Sequence, residues 1–277
     1  MTRIEFPGAH QYRPDFPHRI SNYCRPGAKI LIQLDYGLGD VLMIYPHYCA
    51  LKEMYPETRI DFKTIPCFRS LFPAIESDDF YDYVFQVHAY FNERVPEMRG
   101  KTKPQCTCEL NFGIPYDPSR DFTRAPKCGC SLVGFNFLSS NWLWKTVSCP
   151  YNTAKLLWEK TEDAGFICID LFYPKDAFAA RPENKKYDFV DLALRDKKTM
   201  TVQKMFDIVN GCVGIASIST GTYHMAMNLC PETTLYLKNE FSRSNYSRDD
   251  KALSLDVNKP DDGIIREWHR RMREAIV

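Results

Sequence analysis

No stretch of this chain approaches the roughly 20 consecutive apolar residues that a membrane-spanning helix needs, and the opening Met1-Thr2-Arg3-Ile4-Glu5-Phe6-Pro7 has no apolar signal-peptide core. The expectation is a cytoplasmic protein with no transmembrane segment. An excess of charge of either sign is also missing. With 36 basic and 35 acidic residues the net charge is +1, which excludes a general electrostatic pull on nucleic acid or an anionic membrane and favours a small-molecule or neutral-polymer substrate. A disulfide framework is lacking too. The 11 cysteines are an odd number, and Cys49, Cys168, Cys212 and Cys230 fall inside expected strands and helices, as reduced thiols acting as small apolar side chains do.

What is present is an alternation of strands and helices. The 277 residues suffice for one or two domains. Residues 1–28, with Pro7, Pro14, Pro17 and Pro26, read as an extended arm. Lys29 to Leu34 is an apolar run of the kind found in a strand buried on both faces. A loop, Asp35-Tyr36-Gly37-Leu38-Gly39-Asp40, precedes apolar residues at helical spacing from Val41 to Leu51, with Pro46 implying a kink or a late start. Arg59 to Ile65 is the next strand, Cys67 to Ile75 a short helix, and Tyr81 to Val87 a third strand. Periodicity then fades between Ala89 and Cys130, apart from a short helical piece near Glu109 to Phe112.

The second half repeats this grammar. Ser131–Phe137, Phe166–Phe172, Tyr187–Leu194, Val213–Ser217, Thr233–Leu237 and Ala252–Val257 read as strands. Helices are expected from Asn152 to Ala164, ended by Gly165, from the Thr201 cap to Asn210, from His224 to Leu229, and from Asp261 to Ile276. Alternation in both halves implies two doubly wound α/β domains, with ligands at the carboxyl ends of the strands. The domain limits implied are an arm at 1–28, a first domain at 29–125, a second at 126–260 and a closing helix at 261–277.

The stretch Ser217-Ile218-Ser219-Thr220-Gly221-Thr222-Tyr223-His224 sits at a strand-to-helix turn. Small and hydroxylated residues there offer backbone N–H groups and hydroxyls to an anion, which makes it a candidate diphosphate cradle; an ordinary N-cap cluster is the alternative. Gly37 and Gly39 form a comparable loop in the first half, where they admit a ligand close to the backbone or merely permit a tight turn. If the two domains face each other, both loops line one cleft. Cys106, Cys108, Cys128 and Cys130 have the thiolates for one structural Zn²⁺, though C-x-C spacing is less common in such sites than C-x₂-C, and two coincidental pairs remain the alternative. Phe91, Trp142 and Trp144 have rings suited to stacking on a sugar or base. Arg266, Arg270, Arg271 and Arg273 form a local basic group.

Three places carry a resemblance. Lys29-Ile30-Leu31-Ile32 through Leu38-Gly39-Asp40-Val41-Leu42, with Pro46, Leu51-Lys52 and Tyr55-Pro56, is one. Val133-Gly134-Phe135-Asn136 with Trp144-Lys145 is the second, and Gly214 to Ala226, with Gly221 three residues before His224, is the third. In this order and spacing they resemble the ADP-heptose:lipopolysaccharide heptosyltransferases and their relatives, glycosyltransferase family 9. The resemblance implies a GT-B fold with two Rossmann-like domains, the first for acceptor and the second for donor. It also implies inverting transfer from a nucleotide-sugar donor without a catalytic metal or other cofactor, and it accounts for the helical Pro46. Where the family often carries an acidic residue in the third motif, this chain has Ser217 and Ser219, so heptose itself is not implied.

Within that resemblance Asp40 is the candidate base that takes the acceptor hydroxyl's proton, an N-capping aspartate being the alternative. Lys145 is the candidate cation for the leaving diphosphate, against a solvated surface lysine. Ser217, Ser219, Thr220, Gly221, Thr222, His224, Gly37 and Gly39 are the candidate donor-binding residues, with His224 alternatively a satisfied core histidine. The leading expectation is a glycosyltransferase acting on a glycan or lipid-linked sugar. The others are a glycosyltransferase acting on a modified DNA base, and a non-catalytic nucleotide- or sugar-binding module with a structural zinc.

Overall fold

The structure, a computed structural model, describes residues 2–5, 19–34, 38–64, 80–87, 100–117, 131–139, 148–172, 187–194, 201–239 and 251–276. The chain divides into two compact units, the first taking it up to Phe122 and the second nearly all of the remainder. Each is built on its own parallel sheet, so the chain has two Rossmann-like α/β units.

In the first unit, β1 (Thr2–Glu5) precedes β2 (Lys29–Leu34), α1 (Leu38–Met54), β3 (Arg59–Thr64) and β4 (Tyr83–Gln86). The sheet order is β1-β4-β2-β3, every pairing parallel. Within the span expected as an extended arm, Thr2–Glu5 is an edge strand, held by register from Thr2 opposite Tyr83 to Glu5 opposite Gln86 and by Arg3 donating to Gln86 Oε1 at 2.7 Å. In β2, Ile30, Ile32 and Leu34 are fully buried while Leu31 and Gln33 are only half-buried, so one face is closed and the other partly open rather than both being sealed. The helix α1 is apolar almost all round. Val41, Leu42, Met43 and Ile44 are all buried, which places its first turns inside the unit. It begins at Leu38 and runs through Pro46, so there is no late start.

After β4 come a single helical turn, α2 (Lys103–Cys106), and a wider π-helical turn, Thr107–Phe112, closed by Gly113 at φ 70°. Gly113 must be glycine for two reasons. Its backbone is left-handed, and a Cβ would lie 2.5 Å from Ser21 Oγ. The rings of Phe112 and Tyr116 pack edge-on to His47 of α1, at 5.9 and 5.7 Å between ring centres.

The second unit contains β5 (Leu132–Asn136), α3 (Tyr151–Asp163), β6 (Ile167–Asp170), α4 (Val202–Gly211), β7 (Gly214–Ser217), α5 (Gly221–Leu229), β8 (Thr234–Lys238), β9 (Leu253–Asp256) and α6 (Asp262–Ala275). Its sheet order is β6-β5-β7-β8-β9, again wholly parallel. Local signals place several helix ends. Thr201 accepts from Lys204 N, Asp261 accepts from Gly263 N and Ile264 N, and Gly165 at φ 88° follows α3.

The expected strand Tyr187–Leu194 is a turn, with Val190 N bonded to Tyr187 O, followed by one isolated bridge from Ala193 to Asp170. Its alternation of aromatics is real but has another cause. Tyr187 and Phe189 stack on each other at 5.2 Å and meet Tyr151 and Phe137 edge-on or tilted, forming a ring cluster instead of a ladder. The expected helix Cys67–Ile75 lies outside the described residues.

At the amino ends of β7 and β8, α6 sits so close to the sheet that Gly214 has no room for a side chain. A Cβ there would collide with Met272 and come within 3.1 Å of the Thr233 carbonyl. Gly214→Ala is therefore expected to destabilise the protein by about 1–3 kcal/mol through overpacking, seen as a lower denaturation midpoint in urea with little change in slope.

His47 and the α6 residue His269 are both kept neutral chiefly by burial, which pulls each down to about 4. Arg273 and Lys160 add to the effect at His269. Unfolded histidines take up protons near pH 6.5, so between those values the unfolded chain binds more protons than the folded one. Stability should be full above about pH 6.5 and fall as the pH drops toward 4. Urea midpoints at pH 7.5 and pH 5 test this, and equal midpoints would contradict it.

Candidate functional site

The carboxyl ends of β5 and β7 are neighbours, with Asn136 in register with Ser217. After Ser217 the chain turns through Ile218, Ser219 and Thr220 into α5. The helix begins at Gly221, not at His224 as expected, so Gly221, Thr222 and Tyr223 form its first turn. That turn is where a helix has N–H groups with no intrahelical acceptor and where its dipole favours an anion.

Thr220 occupies the N-cap position in extended backbone, φ −142° and ψ 177°, yet its side chain makes no capping bond to the helix. Thr220 therefore does not cap α5 through its hydroxyl. The Thr220 hydroxyl is engaged elsewhere: Asn136 Nδ2 donates to Thr220 Oγ1 at 3.0 Å and to Thr222 Oγ1 at 2.9 Å. Asn136 is 5% exposed, and its Oδ1 has no hydrogen-bond partner among the described residues. One buried amide thus ties the turn and the first helical residues to the end of the neighbouring strand.

The remaining expected residues divide by what they can offer. Ser217 is fully buried and its hydroxyl donates inward to Ile218 O at 2.8 Å, with Thr220 Oγ1 3.3 Å away, so it shapes the turn from below. Ser219 is exposed at the tip. His224 is half-buried beside Tyr223, its carbonyl accepting from Asn228 Nδ2 at 2.7 Å. Asn136 belongs with them, although by sequence it stands only as part of a strand motif. The available signal is a polar residue ending an apolar strand, at the position where parallel sheets carry ligand groups.

In the first unit, Asp40 lies in the first turn of α1, half-buried, at the carboxyl end of β2. It is the third helical residue, so it is not an N-cap; its carboxylate faces the favourable end of the helix dipole. Gly39 is buried within the same turn instead of in a preceding loop. Gly37, Lys145, Phe91, Trp142 and Trp144 lie outside the described residues.

Cys106 and Cys108 are buried thiols. Desolvation pushes them up to about 11 and about 12, and Cys108 Sγ is 3.5 Å from the carbonyl oxygens of Ile114 and Pro115. Those contacts suit a protonated donor more than a metal-bound thiolate. Cys128 and Cys130 are outside the described residues, among which no group of three or more metal-ligating side chains occurs. Three of the four arginines grouped on α6 are engaged within the protein, while Arg266 is exposed. Arg270 pairs with Glu267 at 2.7 Å and with Glu274, Arg271 pairs with Glu267 at 3.0 Å, and Arg271 also donates to Lys251 O. Arg273 donates to Ala164 O. No helix among the described residues is long and apolar enough to cross a membrane.

Compared by sequence, the chain matches no protein-family profile and no curated protein. Compared by structure it is similar to the Escherichia coli heptosyltransferase WaaC, solved with ADP-2-deoxy-2-fluoro heptose, at a TM-score of 0.57 and 12% identity over 89% of this chain and 99% of that one. A glycosyltransferase family 9 protein from Veillonella parvula matches at a TM-score of 0.61 and 11% identity over 90% and 98%. The E. coli ADP-heptose heptosyltransferase II matches at 0.57 and 13% over 90% and 98%. At such identities the likeness is one of fold: this chain has the fold of the family 9 glycosyltransferases.

Proposed function

We propose that this protein is an inverting, metal-independent glycosyltransferase that moves a sugar from a nucleotide-sugar donor to a hydroxyl acceptor, a glycan or lipid-linked sugar. The observation that carries the donor half is the first turn of α5, where the N-cap Thr220 makes no side-chain capping bond and its hydroxyl accepts from Asn136 instead. A leaving diphosphate fits there, since it gains negative charge as the glycosidic bond breaks and a helix N-terminus lined with hydroxyls stabilises that charge in place.

Asp40 takes the role of general base, removing the acceptor's proton as its oxygen attacks the anomeric carbon. Lys145 supplies a mobile positive charge to the departing diphosphate. The fold shared with nucleotide-sugar enzymes and the ordered motifs support this reading. The pairing of Arg270 and Arg271 with acidic neighbours on α6 weakens the basic patch that a DNA-base acceptor would call on.

A thermal-shift screen against nucleoside diphosphates and their sugars tests the donor. A ligand bound only by the folded state raises the melting temperature with its concentration, and no shift across the panel at millimolar ligand would defeat the reading. A hit without turnover on any acceptor would instead favour the non-catalytic binding module. For Lys145→Ala, loss of one charge-assisted contact worth about 1.5–3 kcal/mol predicts roughly 10- to 100-fold weaker binding of the diphosphate that scores in that screen. Unchanged affinity in calorimetry would remove Lys145 from the site.

A further inference from the structure

We infer that Asn136 is a positioning residue that sets the direction of the Thr220 and Thr222 hydroxyl protons, and thereby makes the α5 turn selective for a diphosphate; the inference rests on the donor-site reading above. An amide nitrogen has two hydrogens, and Asn136 Nδ2 lies 3.0 Å from Thr220 Oγ1 and 2.9 Å from Thr222 Oγ1. Each hydroxyl therefore accepts one hydrogen from the amide. A hydroxyl has a single proton of its own: Thr222 keeps that proton to give elsewhere, while Thr220 has Ser217 Oγ at 3.3 Å as a long internal acceptor.

The Ser217 hydroxyl donates to Ile218 O at 2.8 Å, so in its 3.3 Å contact with Thr220 it is the acceptor, a long bond that a charged phosphate oxygen outcompetes. Turned the other way, the amide would present Oδ1 to the two threonines, draw both protons inward and leave only oxygen lone pairs facing an incoming phosphate. The two orientations fill the same volume but offer opposite polarity at the helix N-terminus.

A second observation points to a ligand. Asn136 is 95% buried, being 5% exposed, and Oδ1 has no hydrogen-bond partner among the described residues. A buried acceptor without a donor is costly in a folded protein. A ligand bearing hydroxyls beside its phosphates satisfies it, because the phosphates take the threonine protons while a sugar or ribose hydroxyl gives its proton to Oδ1. The donor-facing orientation thus pairs best with a molecule that carries both groups.

The test measures affinity for inorganic pyrophosphate and for ADP, GDP, UDP and CDP by calorimetry in Asn136→Asp, Asn136→Leu, Thr222→Val and Thr222→Ser, alongside the melting temperature of each. In Asn136→Asp the carboxylate has no hydrogen to give and draws both threonine protons inward, so pyrophosphate and the diphosphate bound by the wild type should bind at least 30-fold more weakly. Asn136→Leu leaves the hydroxyls free to turn and should lose less than 10-fold, even though it removes both hydrogen bonds.

Thr222→Ser should keep affinity within about twofold and Thr222→Val should not. Equal losses in the Asp and Leu variants, losses that merely follow the fall in melting temperature, or full affinity in Asn136→Asp would each overturn the inference while the donor-site reading stands. If the Asn136 variants fail to fold, the Thr222 pair decides, and Thr222→Val binding as tightly as Thr222→Ser overturns it. A wild type that binds neither pyrophosphate nor any of the four diphosphates removes both.

Discussion

Asp40→Ala is expected to slow sugar transfer by on the order of 10³-fold, the middle of the range for losing a positioned general base, while nucleotide affinity stays within about twofold. The reason lies in what the residue can and cannot be. It is the third residue of α1, so its removal costs no N-cap. A carboxylate in the first helical turn contributes only about 0.3–1 kcal/mol through the dipole. A purely structural Asp40 would therefore show a small fall in melting temperature and an equally small fall in rate.

Asp40→Asn sharpens the distinction. It keeps the size and most of the polarity but cannot take a proton, so a base predicts a loss as deep as alanine's, whereas a dipole or packing role predicts near-normal turnover. Single-turnover kinetics with saturating donor read the step directly. Full transfer by either variant would end the assignment.

How much of the fold and the site is legible in the sequence depends on whether the deciding contact is local. The caps at Thr201 and Asp261 and the stop at Gly165 are each settled within three or four residues, and the sequence announces them. Both candidate helices begin three residues earlier than their apolar pattern suggests, at Leu38 and Gly221. In each case a glycine or hydroxylated residue fills the first turn and gives no periodic signal, which is the composition an anion site at a helix N-terminus calls for.

The Asn136 contacts join residues 84 and 86 positions apart, and no local pattern could reveal them. Thr2–Glu5 is hidden for a related reason. It is a short strand cut off from the rest of its sheet by a proline-rich stretch, and it is recognisable only through its partner Tyr83–Gln86.

Trp268→Ala is expected to cost the second unit about 3–5 kcal/mol and to lower the melting temperature by roughly 10 °C, with nucleotide affinity at low temperature unchanged. Trp268 is fully buried on α6, edge-on to Phe135 with 5.9 Å between ring centres, and its indole N–H donates to Thr233 O at 2.9 Å. Thr233 immediately precedes β8, and Met272, one turn further along α6, covers Gly214 at the start of β7.

The helix thus fastens the amino ends of β7 and β8 and reaches Phe135 in β5, whereas Ser217, Asn136 and the α5 turn belong to the carboxyl ends. Trp268→Phe separates the two contributions, keeping an aromatic ring but losing the hydrogen bond and part of the volume, and should recover well over half of the stability lost in the alanine variant. Trp268 also touches Phe135, the residue before Asn136 in β5, so the Trp268 and Asn136 substitutions are expected to couple in stability by about 0.5 kcal/mol or more. Strong coupling in that double-mutant cycle would mean that α6 helps to set the geometry of the α5 turn through the strands between them.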